Sequence, residues 1–155
     1  MAPDHSRRTR PCVCREVPLS DFVDTSIFVR LLTQDDPEKS ARSLELFRRA
    51  NRGEIDLRTS EAVVAEVVYV LASPVMYGTP RSVISSRLGA LLSGNSLRLD
   101  HKDAVLDALQ WYGESNFHFV DCLCVAHAGR EPLTGSIYSY DRGFDRIPGI
   151  RRLEP

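Results

Sequence analysis

The stretch "EIDLRTSEAVVAEVVYVLAS", residues Glu54 to Ser73, passes from a β-prone run directly into a helix and so decides the fold class. Its first part, "EIDLRTS", predicts a short strand. Thr59 or Ser60 can cap the following helix, and Pro74 ends it. A strand followed at once by a helix is typical of chains that build parallel sheets with helical crossovers.

The same alternation continues on both sides of this stretch. Strands are predicted at residues 20–24, 54–60, 96–100, 135–141 and 149–154. Helices are predicted after Ser26 and at residues 37–53, 61–73, 80–92, 101–115 and 119–130, with one further turn at residues 142–148. The predicted order is β-α-β-α-α-β-α-α-β-β. Such an order favours an α/β fold with a mostly parallel sheet covered by helices on both faces.

The size and charge of the chain set further limits. With 155 residues and 43% hydrophobic content, the chain can bury one substantial core, so we expect a single domain at residues 20–155. Residues 1–19 hold three prolines and four arginines without a hydrophobic period, and they predict a mobile N-terminal extension. A net charge of −1 excludes a nucleic-acid binder that works by overall charge alone.

The cysteines and histidines carry no strong signature of a metal site. Cys12/Cys14 and Cys122/Cys124 form two C-x-C pairs, which do not match the usual C-x-x-C zinc spacing, so we expect free thiols. The histidines lack an H-E-x-x-H pattern, and we expect structural or surface roles for them. These histidines are His5, His101, His118 and His127.

No signal for export or membrane insertion is found in the sequence. No run reaches the roughly 18 consecutive apolar residues of a membrane span. Arg7 and Arg8 are followed by "TRPCVC" rather than by an apolar segment. We therefore expect a cytoplasmic protein that does not bind membranes.

Four acidic residues occupy positions where a surface carboxylate is not expected. Asp24 and Asp141 come at the ends of predicted strands, and ligands of open α/β sheets bind outside those ends. Glu66 lies inside "VVAEVVYVL", where Val63 and Val70 at helical spacing predict that it faces inward. Asp121 lies early in the apolar helix "FVDCLCVAHAGR". Taken singly, an Asp can also be a turn former or favour a helix N-terminus.

If these carboxylates converge, they require a compensating cation. Two unit charges about 4 Å apart repel by roughly 4 kcal/mol at an effective dielectric constant of 20. Ligation by carboxylate oxygens alone favours Mg²⁺ or Mn²⁺ over zinc. Such ions neutralise phosphoryl oxygens and activate water, which points to a phosphodiester or phosphoryl substrate.

The four motifs resemble those of the PIN-domain ribonucleases, in particular the VapC toxins of toxin-antitoxin pairs. "FVDTSIFVRLLTQDDPEKS" is similar to the first motif, with Asp24 as a metal ligand and Ser26 as its supporting hydroxyl. "SEAVVAEVVYVL", "NFHFVDCLCVAHA" and "IYSYDRGFDRIPGI" are similar to the other three, through Glu66, Asp121 and Asp141. The likeness covers Phe22 to Leu153. The N-terminal extension departs from the family, as does Cys122, where a small residue is common.

The resemblance implies a three-layer α/β/α PIN-like domain and Mg²⁺- or Mn²⁺-dependent cleavage of RNA, such as a tRNA or rRNA. It also implies a homodimer formed through the helices after the second strand. A VapB-like antitoxin would inhibit the protein, often by presenting an arginine to the carboxylates. In this hypothesis the catalytic and metal-binding residues are Asp24, Glu66, Asp121 and Asp141.

Two other interpretations remain open from the sequence. An aspartyl phosphatase would share the sheet and Mg²⁺ but usually has D-x-D at the first strand end, where this chain has Asp24 followed by Thr25 and Ser26. A non-catalytic acidic pocket, such as a phospho-receiver or a degenerate PIN scaffold, would also fit the fold. Asp145 could be an accessory ligand, but pairing with Arg142 or Arg146 on the surface is favoured.

Overall fold

The computed structural model describes residues 20–129 and 135–155. The predicted N-terminal extension at residues 1–19, with Cys12 and Cys14, lies outside the described residues. Cys122 and Cys124, which are described, are both free thiols, as expected.

The described elements alternate between strands and helices. The strands are β1 (Asp21–Phe22), β2 (Leu57–Thr59), β3 (Leu97–Leu99), β4 (Ser136–Tyr138) and β5 (Arg151–Leu153). The α-helices are α1 (Thr25–Thr33), α2 (Pro37–Asn51), α3 (Glu61–Ala72), α4 (Arg81–Ser93), α5 (Lys102–Glu114) and α6 (Phe119–Ala128), and Arg142–Arg146 forms a 3₁₀ helix. The predicted three-layer α/β/α class is confirmed.

The strands pair in two groups rather than in the single sheet that the sequence suggested. β1, β2 and β3 form a parallel sheet in that order, with Phe22 opposite Arg58 and Thr59 opposite Leu99. β4 and β5 form a separate parallel pair. Because β1, β2 and β3 are parallel, the segments that follow them begin at one edge of the sheet. Asp24, the start of α3 and the start of α5 therefore lie along this edge.

Two helices connect β1 to β2, in agreement with the helices predicted after Ser26 and at residues 37–53, although the predicted order counted only one of them. α1 ends at Thr33 because Gln34 adopts a left-handed backbone with φ 57°. α2 then begins at Pro37, with the Asp36 side chain accepting a hydrogen bond from the Lys39 amide at 3.0 Å. The start of α2 at Pro37 confirms the helix predicted at residues 37–53, whereas the end of α1 was not predicted, because glutamine does not signal a left-handed helix end as glycine does.

A continuous apolar core fixes the helices that carry the candidate site. The buried face of α3 consists of Val63, Val64, Val67, Val68 and Leu71. These side chains belong to the same cluster as Phe28 of α1, Leu109 of α5 and Cys122 of α6. The order of α1, α3 and α6 therefore depends on one shared core.

A polar contact holds the C-terminal end of α1 to the segment after α3. Asp35 pairs with Arg30 of α1, and it also accepts a hydrogen bond from the Tyr77 hydroxyl at 2.7 Å. The Arg30 guanidinium, followed by the Tyr77 hydroxyl, lowers the pKa of Asp35 to about 2. This contact links chain segments that are 42 residues apart.

Replacing Asp35 with asparagine is expected to reduce the loss of unfolding free energy that the protein shows as the pH falls. A folded-state pKa of about 2 lies below the ordinary value of 3.8. The charged Asp35 therefore stabilises the fold above pH about 4, and this contribution is lost as the pH falls from 4 toward 2. Urea unfolding at pH 7 and pH 3 should show a smaller difference in Asp35→Asn than in the parent. An unchanged difference would contradict the contact.

An arginine at the start of α4 positions the loop that precedes α6. The Arg81 guanidinium donates to the carbonyl oxygens of Ser115 at 3.0 Å and Phe117 at 2.6 Å. It also lies 4.6 Å from the centre of the Tyr112 ring, which adds a cation–π contact. Since α6 begins two residues after Phe117, Arg81 fixes where its first turn lies.

No helix in residues 20–129 or 135–155 is long and apolar enough to cross a membrane.

Candidate active site

Asp24 begins α1 instead of ending a strand. β1 ends at Phe22, and the Val23 amide still donates to the Arg58 carbonyl of β2 at 2.8 Å. The exposed Asp24 carboxylate accepts from the Ser26 amide at 3.3 Å and from the Ser26 hydroxyl at 3.1 Å. These bonds, the amide bond first, lower the pKa of Asp24. Aspartate is ionised at neutral pH in any case, so what these bonds add is a fixed orientation of the carboxylate.

Glu66 is exposed, so the prediction that it faces inward was wrong. Its Oε2 atom accepts a hydrogen bond from Thr25 Oγ1 at 2.6 Å. Thr25 is buried, and it directly follows Asp24 in the chain. The hydroxyl of Thr25 therefore joins Glu66 to the start of α1.

The composition of α3 explains why the burial of Glu66 was predicted wrongly. The buried stripe at positions 63, 64, 67, 68 and 71 passes beside Glu66, whereas its neighbours Ala62 and Tyr69 are exposed. Val70, which the prediction placed on the inner side, is only half-buried. With valines on most sides of the helix, the sequence alone does not show where the buried stripe ends.

Asp121 is half-buried and lies in the first turn of α6. This position explains a carboxylate within an otherwise apolar run, because the amide end of a helix favours negative charge by about 0.3 to 1 kcal/mol. No other residue of the described chain forms an ion pair or hydrogen bond with its side chain. The carboxylate oxygens of Asp121 are therefore available for a ligand.

Asp141 caps the 3₁₀ helix three residues after β4, rather than ending the strand as predicted. Its Oδ1 atom accepts from the Gly143 amide at 2.7 Å, and its own amide donates to Ser139 Oγ at 3.0 Å. A Cβ atom at position 143 would lie 3.0 Å from the same Oδ1, so Gly143 leaves room for the carboxylate. Asp141 is exposed, and its orientation is fixed locally.

Helices α3 and α6 lie side by side and run in opposite directions. Glu61 at the start of α3 contacts His127 near the end of α6. Tyr69 near the end of α3 and Val120 near the start of α6 line one groove. Glu66 and Asp121 thus lie on neighbouring helices, and Thr25 brings Asp24 to the first of them.

The structure brings the predicted ligands together only in part. Asp24 and Glu66 are linked through Thr25, as described above. Within residues 20–129 and 135–155, Glu61, His101 and His127 form a group of three metal-ligating side chains. Their ligand atoms all lie within 4.8 Å of one another. No such group is formed by the four predicted carboxylates, so their assignment as one metal site stays a prediction.

The four carboxylates differ from most other acidic residues in their lack of a basic partner. Ion pairs with arginine, lysine or histidine are formed by Asp35, Asp36, Glu38, Glu45, Glu54, Asp56, Glu61, Asp145 and Glu154. Within the described chain, no lysine, arginine or histidine forms an ion pair with the four predicted ligands. The four side chains offer carboxylate oxygens as metal ligands, which suit Mg²⁺ or Mn²⁺. Mg²⁺ needs only one or two direct carboxylates, because it keeps several waters.

Asp145 is committed elsewhere, and its partner differs from the predicted one. Its Oδ1 atom accepts from Arg152 Nε at 2.9 Å, so it pairs with β5 rather than with Arg142 or Arg146. Arg152 also donates to the Ser139 carbonyl at 2.8 Å. The pair joins the 3₁₀ helix to β5, and this is a structural role.

Two features of the site were missed at the level of sequence. The expected supporting hydroxyl was Ser26, which does contact Asp24, but Thr25 makes the longer-range bond to Glu66. The signal available was a threonine directly after Asp24. The second feature is the group of Glu61, His101 and His127, whose members are up to 66 residues apart and carry no local motif.

One protein family matches most of the chain, including the four predicted ligands. No curated protein matches the chain. The model of the PIN domain family matches residues 22–150, which include Asp24, Glu66, Asp121 and Asp141. This match spans far more than half of the sequence, and the three-layer fold agrees with it. The chain belongs to the PIN domain family.

Proposed function

We propose that the protein is a Mg²⁺- or Mn²⁺-dependent endoribonuclease of the VapC type, which hydrolyses RNA phosphodiester bonds with an activated water. The observation that carries the proposal is the position of four carboxylates without a basic partner among the described residues, at or beside the starts of helices α1 and α6 and the 3₁₀ helix and on α3, all within the matched region: Asp24, Asp121, Asp141 and Glu66. PIN domains are commonly nucleases, so membership supports a nuclease-type hydrolase. The metal requirement, the RNA substrate and the toxin role belong to the proposal.

Each carboxylate has a distinct task in this mechanism. When bound, the ion neutralises charge on the phosphoryl oxygens and lowers the pKa of water. The Ser26 amide and hydroxyl hydrogen-bond the Asp24 carboxylate and fix its orientation. Glu66 is held in place by Thr25, and Asp121 and Asp141 present oxygens that can bind the ion or orient water. No side-chain nucleophile is required.

Exposed aromatic rings beside Asp141 support RNA as the substrate. Tyr138 and Tyr140 are 71% and 76% exposed and lie within three residues of Asp141. Unpaired RNA bases commonly stack on exposed tyrosines, at about 1–3 kcal/mol per base. We propose that single-stranded RNA contacts these rings next to the carboxylates.

Replacing Tyr138 and Tyr140 with alanine should weaken the binding of single-stranded RNA by roughly 10- to 100-fold, since one or two stacked bases are lost. Fluorescence anisotropy of a labelled oligoribonucleotide in Ca²⁺ buffer would measure binding without cleavage. Tyr69→Ala is the control for loss of an exposed tyrosine, because Tyr69 is 75% exposed and belongs to α3 rather than to the segment from β4 to Asp141. Equal affinity of the double variant and the parent would contradict the proposed contact.

The experiment that tests the activity is incubation of the purified protein with mixed cellular RNA in Mg²⁺, Mn²⁺ or EDTA. Cleavage into discrete fragments with either ion, and its loss in EDTA, is the expected result. A phosphate monoester substrate is included because an aspartyl phosphatase would hydrolyse it and leave the RNA intact. Intact RNA under every divalent ion would reject the nuclease, and an intact phosphate monoester in the same experiment would then favour a non-catalytic scaffold.

The proposed partners are a second copy of the chain and a VapB-like antitoxin. A groove of about 580 Å³ lies between α3 and the start of α6, with Val68, Tyr69 and Phe119 in its lining. Large apolar residues near it are exposed, Val75 at 95% and Val120 at 54%. Exposed apolar surface of this kind favours an interface between proteins. We propose that it forms the homodimer contact, which sedimentation of parent and Tyr69→Glu would test.

The antitoxin is proposed to act on the carboxylates themselves. Asp24, Glu66, Asp121 and Asp141 are not neutralised by arginine or lysine among the described residues. An arginine from another chain could pair with such carboxylates through two parallel hydrogen bonds. Competition between a basic peptide and Mn²⁺ for the parent protein would test this, with no competition as the contrary result.

A further inference from the structure

Two histidines and a glutamate, from α3, α6 and the residue before α5, meet at the edge of the sheet where the candidate active site also lies. Glu61 Oε1 lies 3.1 Å from His127 Nε2 and 3.4 Å from His101 Nδ1. The two imidazole rings are 5.2 Å apart between centres, at an angle of 75°. The three ligand atoms all lie within 4.8 Å of one another.

The fold itself brings the three residues together. Glu61 is the first residue of α3, directly after β2, and His101 lies just before α5, directly after β3. β2 and β3 are neighbouring parallel strands, so both residues begin at the same edge. His127 is near the end of α6, which runs back along α3 to this edge. An ion bound here would therefore connect α3, α5 and α6.

Two of the three separations between donor atoms fit one small transition-metal ion, and the third is within 4.8 Å. Zinc binds histidine nitrogen and carboxylate oxygen at about 2.0–2.2 Å in a tetrahedral arrangement, which sets neighbouring donors about 3.3 Å apart. The observed separations of 3.1 and 3.4 Å from Glu61 Oε1 match this value. The side chains are 66%, 37% and 29% exposed for His101, His127 and Glu61, so an ion and a completing water can reach them.

We propose that Glu61, His101 and His127 form a second metal site, selective for Zn²⁺ or a similar transition ion. Imidazole nitrogen is a ligand for zinc, copper, iron and nickel rather than for Mg²⁺. The site goes beyond the proposed ribonuclease function, because it uses none of the four carboxylates assigned to that function. Its role is to clamp α6, which carries Asp121, against α3 and α5.

The competing explanation is a set of hydrogen bonds without any ion, in which both imidazoles donate to Glu61. The two explanations predict different results when each histidine is replaced by a side chain that keeps an N–H group but does not bind the metal. His127→Gln and His101→Asn keep a side-chain N–H that can reach Glu61 but remove the imidazole ligand. Asparagine suits position 101 in particular, because His101 has a left-handed backbone with φ 52° and asparagine tolerates that conformation.

The test is Zn²⁺ binding to untagged protein, measured by calorimetric titration and by the shift of the thermal unfolding midpoint. In the parent, Zn²⁺ at a hundredfold excess over its Kd should raise the Tm by roughly 5–10 °C. His101→Asn and His127→Gln should each weaken Zn²⁺ binding at least tenfold, since loss of even an outer-shell partner costs about 10- to 100-fold. His118→Asn is the matched control, because this exposed histidine lies outside the group.

Two more variants separate the site from other ligands on the chain. Cys124→Ser should keep Zn²⁺ affinity and thereby exclude the exposed thiol on α6 as the ligand. Asp24→Asn should keep it as well, so the outcome does not depend on the ribonuclease proposal. The proposal is overturned if the parent does not bind Zn²⁺, or if binding survives both histidine substitutions, which would leave hydrogen bonds as the explanation.

Discussion

Replacing Asp24 with asparagine is expected to reduce Mg²⁺-dependent RNA cleavage by more than about 100-fold while the protein stays folded. Asparagine is as good a helix cap as aspartate, so α1 should begin as before. What is lost is the negative charge of the carboxylate that Ser26 orients. Partners outside the ligand shell are themselves worth about 10- to 100-fold, so a direct ligand should be worth at least as much. Initial rates on a fluorescent oligoribonucleotide would measure the loss.

Asp121→Asn should have the same effect, and Asp103→Asn is its matched control. Asp103 is also an aspartate in the first turn of a helix, more exposed than Asp121 but at the same kind of helix end. The control variant should cleave RNA at close to the parent rate. Cleavage that survives both Asp24→Asn and Asp121→Asn would reject the proposed mechanism.

Replacing Thr25 with valine is expected to lower activity by roughly 10- to 100-fold and to raise the Mg²⁺ concentration required. Valine has nearly the same shape as threonine, but it lacks the hydroxyl that donates to Glu66 Oε2 at 2.6 Å. Without this bond Glu66 can rotate away from Asp24. Thr25 is a positioning residue, so the informative measurement is the rate as a function of Mg²⁺ concentration.

Two further variants distinguish a positioning role of Thr25 from a general loss of stability. Thr25→Ser keeps a hydroxyl and should recover most of the activity. Thr33→Val removes a hydroxyl from the other end of the same helix, where it donates to the Val29 carbonyl at 2.8 Å. This variant should leave the Mg²⁺ dependence unchanged. An identical Mg²⁺ profile for Thr25→Val and the parent would show that the bond to Glu66 does not position the site.

Local signals in the sequence predicted the strands and helices well. The stretch from Glu54 to Ser73 contained β2, the Ser60 cap and the end of α3 before Pro74, all close to their observed positions. These features depend on neighbouring residues and on residue types with specific backbone preferences. The end of α1 was different, because it is set by Gln34, a residue type with no such preference.

Long-range features were predicted less completely. The separation of β4 and β5 from the other strands depends on pairing between distant segments, which alternation along the chain does not specify. The exposure of Glu66 depends on how wide a stripe α3 buries, and valines on most sides concealed this. The histidine pair next to Glu61 has no sequence motif, since its members come from α6 and from the residue before α5.

Titration of Mn²⁺, followed by electron paramagnetic resonance, tests the central claim most directly, namely that distant carboxylates form one cation site. The His101→Asn/His127→Gln double variant serves as the background, so that the second proposed site does not contribute. The account predicts that Mn²⁺ affinity falls at least tenfold on adding Asp24→Asn, Glu66→Gln, Asp121→Asn or Asp141→Asn, and stays constant on adding Asp103→Asn. The same affinity in all of these proteins would contradict it.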